Sequence, residues 1–168
     1  FAQQKNKTKN LNINCVIPVR GTNVDKLCNS LEYLNKKPLI FYTIDEVLKV
    51  KEFKKIILTT PDIKLIKLVK KKYKNNIFYQ KRSDNLSEQN VDYKESVINA
   101  VKKFNRSSVD IVVILSTANP FCKSFYLQQA ISNLIIHDSD LVVGTVPDIE
   151  NNYYKYSKNG IELISNKR

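Results

Sequence analysis

The chain of 168 residues is poor in the residue types on which several classes of protein depend. Its single histidine, His137, cannot build a multi-histidine metal site. Its 3 cysteines, Cys15, Cys28 and Cys122, are widely spaced, which argues against a disulfide framework or a zinc site and favours a reducing compartment. No apolar run approaches the roughly 20 residues that a membrane-spanning helix needs. We therefore predict a cytoplasmic protein without a membrane partner.

Arginine is also scarce, although the chain carries a formal net charge of +12. Only four of its 28 basic residues are arginines, and the lysines are spread along the whole chain. Proteins that read nucleic acid usually need arginine for bidentate contacts to guanine, and they gather their charge on one face. A basic nucleic-acid-binding domain is therefore the least favoured alternative, and we interpret the lysines as a solvated surface.

What the chain does contain is a regular alternation of strand and helix patterns. Hydrophobic residues make up 42% and charged residues 26%, the proportions of one globular domain. Residues 1–10 are polar and are predicted to form a flexible leader, so the domain spans 11–168. Strands are predicted at 13–17, 55–59, 76–79, 111–115 and 141–145. Helices are predicted at 38–50, after a cap at Asp62, at 94–104 and at 126–136.

Repeated strand–helix alternation specifies an α/β fold of Rossmann-like type, with three layers and a mainly parallel sheet. A last segment with alternating aromatic residues, 153–164, fits a hairpin or an excursion from this core. In an open parallel sheet, ligands bind outside the carboxyl ends of the strands. This rule nominates four loops for the functional site: 19–30, 59–62, 81–92 and 116–124.

The first of these loops has residues suited to binding a phosphate. Arg20, Gly21 and Thr22 combine a guanidinium with a turn whose backbone N–H groups can point at an anion. With one glycine, the loop matches neither a Walker loop nor a dinucleotide-binding fingerprint. From these residues alone, a tight turn with a surface arginine is the favoured interpretation.

Longer blocks of sequence carry a family resemblance. Residues 17–22 and, at matching spacing, residues 35–44 resemble the opening of the acylneuraminate cytidylyltransferase family, whose members activate sialic acid and related sugar acids as CMP-sugars. Further blocks follow in register at 57–62, at Arg82, at 110–115 with Asn119 and Pro120, and at 139–144. The resemblance covers residues 13–165.

This resemblance implies a nucleotidyltransferase that transfers CMP from CTP to a sialic acid-like sugar acid and releases pyrophosphate. It implies that Arg20 is catalytic and holds the triphosphate, and that Mg²⁺ assists on the phosphates. It assigns nucleotide binding to seven residues near the strand ends: Val19, Arg20, Gly21, Thr22, Ser30, Arg82 and Ser116. It places the metal ligands beyond the end of this chain, so we expect no metal site here and a domain that lacks its C-terminal part.

Relatives of this family pair through a segment that follows the fifth strand. Tyr153, Tyr154 and Tyr156 fall in the corresponding segment, and tyrosine is common at the cores of interfaces. We therefore predict a homodimer.

The chain also departs from the family pattern within the nucleotide site. Val24 and Asn29 replace two lysines, and Asp25 replaces an arginine. Ser116 replaces a glutamine that recognises the base, and Cys122 replaces a further arginine. Each charged hydrogen bond lost at a triphosphate site is worth about 1.5–3 kcal/mol. A catalytically impaired nucleotide-binding or scaffold homologue is therefore the main alternative to an active enzyme.

Several remaining polar residues have ordinary structural explanations. His137 suits the C-terminal end of a helix, and Cys122 has no recognisable partner base. Glu88 and Asp92 share a polar loop in which solvation is favoured over metal binding. Asp62 is predicted to cap a helix and not to bind a metal.

Overall fold

The computed structural model describes residues 11–22, 24–83, 93–105 and 107–145 and the backbone of 151–157 and 160–167. The predicted leader at 1–10 and most of the predicted loop at 81–92 lie outside these described residues. The chain forms two compact units, Phe1–Gln129 and Ala130–Arg168. None of the described helices is long and apolar enough to cross a membrane.

The regular elements follow one another in the predicted alternation. The strands are β1 (Ile13–Pro18), β2 (Tyr33–Leu34), β3 (Lys37–Pro38), β4 (Phe53–Thr60), β5 (Phe78–Lys81), β6 (Ile111–Ile114), β7 (Asn151–Ser157) and β8 (Gly160–Lys167). The helices are α1 (Leu39–Val47), α2 (Ile63–Tyr73), α3 (Tyr93–Phe104) and α4 (Ser124–Ile136).

A parallel sheet forms the centre of the first unit. Its four strands run in the order β5-β4-β1-β6, and every neighbouring pair is parallel. Parallel neighbours need a crossover connection, which the intervening helices provide. The α/β fold with a mainly parallel sheet, predicted from the alternation of patterns, is confirmed.

The hydrophobic core explains why the strand patterns are so apolar. Helix α3 packs on the two central strands, where Val97 and Ala100 meet Val16 of β1 and Ile57 of β4. All four residues are buried, and burying a side chain the size of valine or isoleucine contributes roughly 1.5–3 kcal/mol. Strands β1 and β4 are buried on both sides of the sheet, as expected of central parallel strands.

Helix α2 begins where the sequence predicted. The Asp62 carboxylate Oδ1 accepts hydrogen bonds from the backbone N–H groups of Lys64 at 2.8 Å and Leu65 at 3.2 Å, so the predicted cap is confirmed. The helix buries Leu65, Val69 and Tyr73 and exposes the lysines between them. The densest lysine run of the chain, residues 70–72, is therefore a solvated helix face.

Strands β2 and β3 form a short antiparallel hairpin that leads into α1. Its two turn residues, Asn35 and Lys36, both have positive φ, 48° and 62°. Two consecutive residues of this kind match the twist of a tight hairpin, although glycine is the usual second residue. Below the turn, the Tyr42 hydroxyl donates to the Leu34 carbonyl oxygen at 2.8 Å and ties the hairpin to α1.

Two details of the predicted pattern are wrong, and both concern strands. Residues 141–145 form no strand, and Leu141 and Val143 are 75% and 66% exposed. An apolar run has strand propensity, but a strand exists only where a neighbour completes its hydrogen bonds. The strand predicted at 76–79 begins two residues later, because Lys74–Asn76 form a 3₁₀ turn in which Lys74 has a positive φ of 49°. In the second unit, the predicted hairpin is confirmed as the antiparallel pair β7 and β8.

Candidate functional site

A buried arginine lies at the carboxyl ends of three neighbouring strands. Arg82 directly follows β5, and its backbone N–H donates to the carbonyl oxygen of Thr60, the last residue of β4, at 3.0 Å. Its guanidinium Nη2 donates to the carbonyl oxygen of Val19, the residue after β1, at 2.8 Å. The side chain therefore reaches from the outer strand β5 past β4, and Arg82 is only 4% exposed.

The charge of Arg82 has no anionic partner in the described part of the chain. No salt bridge joins it to a described carboxylate, and its Nε lacks a hydrogen-bond acceptor. Burial lowers the pKa of its guanidinium, and the nearby positive charge of Arg20 lowers it further. Burying an unpaired charge is costly. The two arginines therefore form a positive site that an anionic ligand would stabilise.

The turn beside these arginines depends on a glycine. Gly21 has φ +83°, a conformation that L residues with side chains rarely adopt, and its carbonyl oxygen accepts from the N–H groups of Val24 and Asp25. A Cβ at Gly21 would lie 2.7 Å from the Cβ of Asp62. The backbone of this loop therefore lies directly against the N-terminal cap of α2, which fixes the direction in which the loop leaves β1.

Two polar residues of the strands complete this part of the site. Thr59 of β4 and Gln80 of β5 are register partners, and both are buried. Gln80 Nε2 donates to Asn99 Oδ1 of α3 at 2.7 Å, whereas Gln80 Oε1 and Thr59 Oγ1 have no partner within the described chain. Thr59 falls at the start of the nominated loop 59–62 but was not singled out, and Gln80 lies just before the nominated loop 81–92. Each has a polar neighbour in its strand, Thr60 in β4 and Lys81 in β5, so neither forms a distinctive pattern.

A second part of the site forms around the loop that follows β6. Ser30 is 1% exposed, and its hydroxyl shares a 3.0 Å hydrogen bond with the hydroxyl of Thr117. Cys28 Sγ donates to Ser30 Oγ at 3.5 Å. Ser116 is exposed, and its Oγ accepts from the Ala118 N–H at 3.1 Å. Thr117 lies in the nominated loop 116–124, but the family resemblance assigned a role to Ser116 and none to Thr117.

The structure thus divides the predicted nucleotide-binding residues into two groups. The first group lies around the ends of β1, β4 and β5 and consists of Val19, Arg20, Gly21, Thr22 and Arg82. The second group is Ser30 and Ser116, which the Ser30–Thr117 contact joins. The roles of all seven in binding a nucleotide stay predictions. Of the lesser candidates, His137 follows the last residue of α4 and is exposed, and Glu88 and Asp92 lie outside the described residues.

The described residues do not fit a metal site of their own. They contain no group of three or more histidine, cysteine, aspartate or glutamate side chains that could hold a metal ion. Asp62 and Asp25, the acidic residues closest to the Gly21 turn, accept backbone hydrogen bonds from Lys64 and Leu65 and from Leu27. The family resemblance places the ligands of Mg²⁺ outside these residues, so Mg²⁺ stays a proposal.

Comparison with known sequences identifies the family. Residues 29–166 match the sequence model of the cytidylyltransferase family. This match covers well over half of the chain, and the chain belongs to the cytidylyltransferase family. A search of curated proteins finds no significant match.

Solved structures show the same fold at low sequence identity. A CMP:2-keto-3-deoxy-manno-octonic acid synthetase complexed with CTP is 14% identical, with a TM-score of 0.59, over 76% of this chain and 49% of that chain. The 4-diphosphocytidyl-2C-methyl-D-erythritol synthase of Anaerococcus prevotii is 19% identical, with a TM-score of 0.59, over 95% and 70%. A cytidylyltransferase of Leptospira borgpetersenii is 15% identical, with a TM-score of 0.58, over 77% and 51%. The chain therefore spans about half the length of the first of these structures.

Proposed function

We propose that the chain binds CTP at the carboxyl edge of its sheet and serves in the transfer of CMP to a sugar acid, with release of pyrophosphate. The observation that carries this proposal is the buried guanidinium of Arg82, which lies near Arg20 and has no anionic partner in the described chain. Family membership supports cytidine as the nucleoside.

In the proposed reaction, the protein acts mainly by positioning the reactants and by stabilising negative charge on the phosphates. In nucleotidyl transfer, a hydroxyl of the acceptor attacks the α-phosphate, the bond to the β-phosphate breaks, and pyrophosphate leaves. Negative charge spreads over the phosphate oxygens, so cationic side chains and backbone N–H groups stabilise the transition state. Arg20 is exposed and can follow the triphosphate, whereas Gly21 is buried against the Asp62 side chain and shapes the turn that follows Arg20. Arg82 is held by two hydrogen bonds and would act as a fixed cation.

Isothermal titration calorimetry with CTP, with and without MgCl₂, tests the binding step. We expect Arg20→Ala to weaken binding at least about tenfold, because a charged hydrogen bond is worth about 1.5–3 kcal/mol. Lys102→Ala is the matched control, since Lys102 is an exposed cation in the last turn of α3. Equal affinity for CTP and ATP, or an Arg20→Ala variant that binds like the wild type, would refute the proposal.

The acceptor is proposed to be a sialic acid-like sugar acid. This choice rests on the blocks of sequence that resemble acylneuraminate cytidylyltransferases, whereas the structural neighbours include enzymes named for other acceptors. Pyrophosphate release should be measured with N-acetylneuraminic acid, with 2-keto-3-deoxy-manno-octonic acid and with a methylerythritol acceptor. Turnover with either of the last two alone would correct the acceptor and leave the CTP proposal standing.

A second candidate function is a nucleotide-binding homologue with impaired catalysis. Ser116, which stands where the acylneuraminate family has a base-reading glutamine, is exposed, and its hydroxyl is already bonded to the Ala118 N–H. This candidate predicts CTP binding without pyrophosphate release for every acceptor. The predicted homodimer is tested separately by light scattering.

A further inference from the structure

The loop between β6 and α4, residues 115–123, contributes Ser116 and Thr117 to the candidate site. It forms neither strand nor helix. At its start, the Leu115 N–H donates to the carbonyl oxygen of Val16 in β1 at 3.0 Å. Beyond that point the loop leaves the sheet, and the hydrogen bonds within it are local, such as the one from the Cys122 N–H to the Asn119 carbonyl oxygen at 3.3 Å, so its position depends on contacts with neighbouring elements.

Helix α1 provides the contacts at the far end of this loop. The ring of Phe121 packs edge-on against the ring of Tyr42, with centroids 5.6 Å apart. One turn further along α1, Glu46 Oε2 accepts a hydrogen bond from the backbone N–H of Ser124 at 2.9 Å. Ser124 is the first residue of α4, so a carboxylate from another helix fills a position that a local capping residue usually takes.

Glu46 is well suited to this contact because it is ordered and charged. Its side chain is only 12% exposed, and Oε1 forms a 2.6 Å ion pair with Lys49. Lys123 Nζ lies 3.9 Å from the same oxygen. Hydrogen bonds from Lys49 and then from the Ser124 N–H lower the pKa of Glu46 to about 2, so the carboxylate stays ionised near neutral pH. A negative charge at the N-terminus of α4 also interacts favourably with the helix dipole.

We propose that Glu46 is a positioning residue for the candidate nucleotide site. Its carboxylate holds the start of α4, and this contact keeps the 115–123 loop, with Ser116 and Thr117, beside Ser30. The 3.0 Å contact between Ser30 and Thr117 is the point at which the two site loops meet. This inference rests on the proposed function, since it concerns the same site.

The first measurement tests the loop without any nucleotide. Cys122 lies in the loop, and burial first and then the charge of Glu46 raise the pKa of its thiol. Glu46→Ala and Glu46→Gln both remove that charge, but only Glu46→Ala releases the loop, so alkylation of Cys122 by iodoacetamide should be at least about threefold faster in Glu46→Ala than in Glu46→Gln. Peptide mapping separates Cys122 from Cys15 and Cys28.

Lys49→Ala is the matched control for this measurement. Lys49 is 59% exposed, and its removal breaks the ion pair while leaving the bond between Glu46 and the Ser124 N–H in place. The Cys122 rate in this variant should stay within about twofold of the wild type. A Cys122 rate in Glu46→Ala that equals the rate in Glu46→Gln overturns the inference.

The second measurement is CTP affinity at a temperature where each variant is folded, as judged by circular dichroism. Glu46→Ala should weaken CTP binding about tenfold, because small displacements of binding groups are costly. Glu46→Gln keeps an oxygen that can accept from the Ser124 N–H and should recover most of this loss. If Glu46→Ala does not fold, Glu46→Asp replaces it, because its side chain is one methylene too short to reach Ser124.

The two measurements separate the possible failures. A wild-type chain that binds CTP, with a folded Glu46→Ala variant of equal affinity, overturns the role of Glu46 alone. A wild-type chain that does not bind CTP overturns the proposed function and, with it, the role of Glu46 in nucleotide binding. A lower melting temperature with unchanged affinity would assign Glu46 to stability only and also overturns the inference.

Discussion

The two parts of the candidate site are held in place by different means. The part around Arg82 lies on strand ends, and its guanidinium is buried and bonded to the backbone next to β1. The part around Ser116 lies on a loop, and Ser116 itself is exposed. The backbone of the sheet fixes the first part, whereas a few side-chain contacts from α1 and Ser30 fix the second.

The departures from the acylneuraminate pattern fall in both parts of the site. Gly21 and Arg82, which match the pattern, are closely packed: a Cβ at Gly21 would meet the Asp62 side chain, and Arg82 is bonded to the Val19 carbonyl oxygen. Val24, Asn29 and Ser116, which do not match it, lie in loops. Residues whose contacts are built into the sheet are costly to replace, and loop residues are tolerant of change. The three residues that do not match the pattern are thus loop residues that are not fully buried.

Lowering the pH should weaken the Glu46 contact that holds the part of the site around Ser116, and this is the largest expected effect. The pKa of Glu46 is lowered from 4.5 to about 2 in the folded chain. Its ionised form therefore adds stability above pH 4.5, about 3 kcal/mol at most, and this contribution is lost as the pH falls towards 2. Urea unfolding of the wild type and of Glu46→Gln should give free energies that converge over this range. Because the Lys49 hydrogen bond contributes most to the lowered pKa, the same comparison in a Lys49→Ala background isolates the Ser124 contact, and parallel pH profiles there would show that Glu46 does not hold the loop.

Arg82→Met tests whether the part of the site around Arg82 binds a ligand. We expect CTP affinity to fall at least about a hundredfold, because more than one charged hydrogen bond is lost. The melting temperature should change little, since the variant loses one bond to Val19 but also removes a buried charge near Arg20. A large loss of stability with intact CTP binding would make Arg82 a structural residue.

Gly21→Ala tests how closely the loop after β1 packs against Asp62. The new Cβ would lie 2.7 Å from Asp62 Cβ at a φ of +83°, so we expect a loss of about 2 kcal/mol in the free energy of unfolding. Gly144→Ala is the matched control, because nothing lies within 4 Å of a Cβ at that position. Thermal denaturation of both variants checks the difference, and equal melting temperatures would contradict the described turn.

Ser116 should give the smallest effects. Ser116→Ala removes only an exposed hydroxyl that is bonded to the Ala118 N–H, so CTP affinity should change by less than about twofold. Ser116→Gln supplies a longer amide at the position of the base-reading glutamine and should tighten CTP binding severalfold over the affinity for ATP. A tenfold loss in Ser116→Ala would show that the loop reads the nucleotide more directly than its exposure indicates.

The sheet was predictable because its signals are local or repeat along the chain. The apolar run in β1 and the cap at Asp62 both identify elements without knowledge of the tertiary structure. The strand predicted at 141–145 failed because an apolar run cannot reveal whether a partner strand lies beside it. Gly21 was recognisable as a turn, but its approach to Asp62 was not.

The candidate site was predictable only where a residue type has a characteristic chemistry. Arg20 and Arg82 were identified through the family resemblance and the strand-end rule. Thr117 and Glu46 were missed because their importance depends on contacts with residues 87 and 78 positions away in the chain. Contacts of that sequence separation leave no local pattern.

The turn between β2 and β3 shows where the stability of this chain could be raised without touching ligand chemistry. Lys36 adopts a φ of 62° without the freedom that glycine has there. The turn thus holds Lys36 in a backbone conformation that a residue with a side chain disfavours, and the contacts of the surrounding hairpin offset this cost in free energy. Lys36→Gly would relieve a left-handed conformation that costs roughly 1–2 kcal/mol, and the greater entropy of glycine in the unfolded chain, about 0.4–1 kcal/mol, would offset part of this gain.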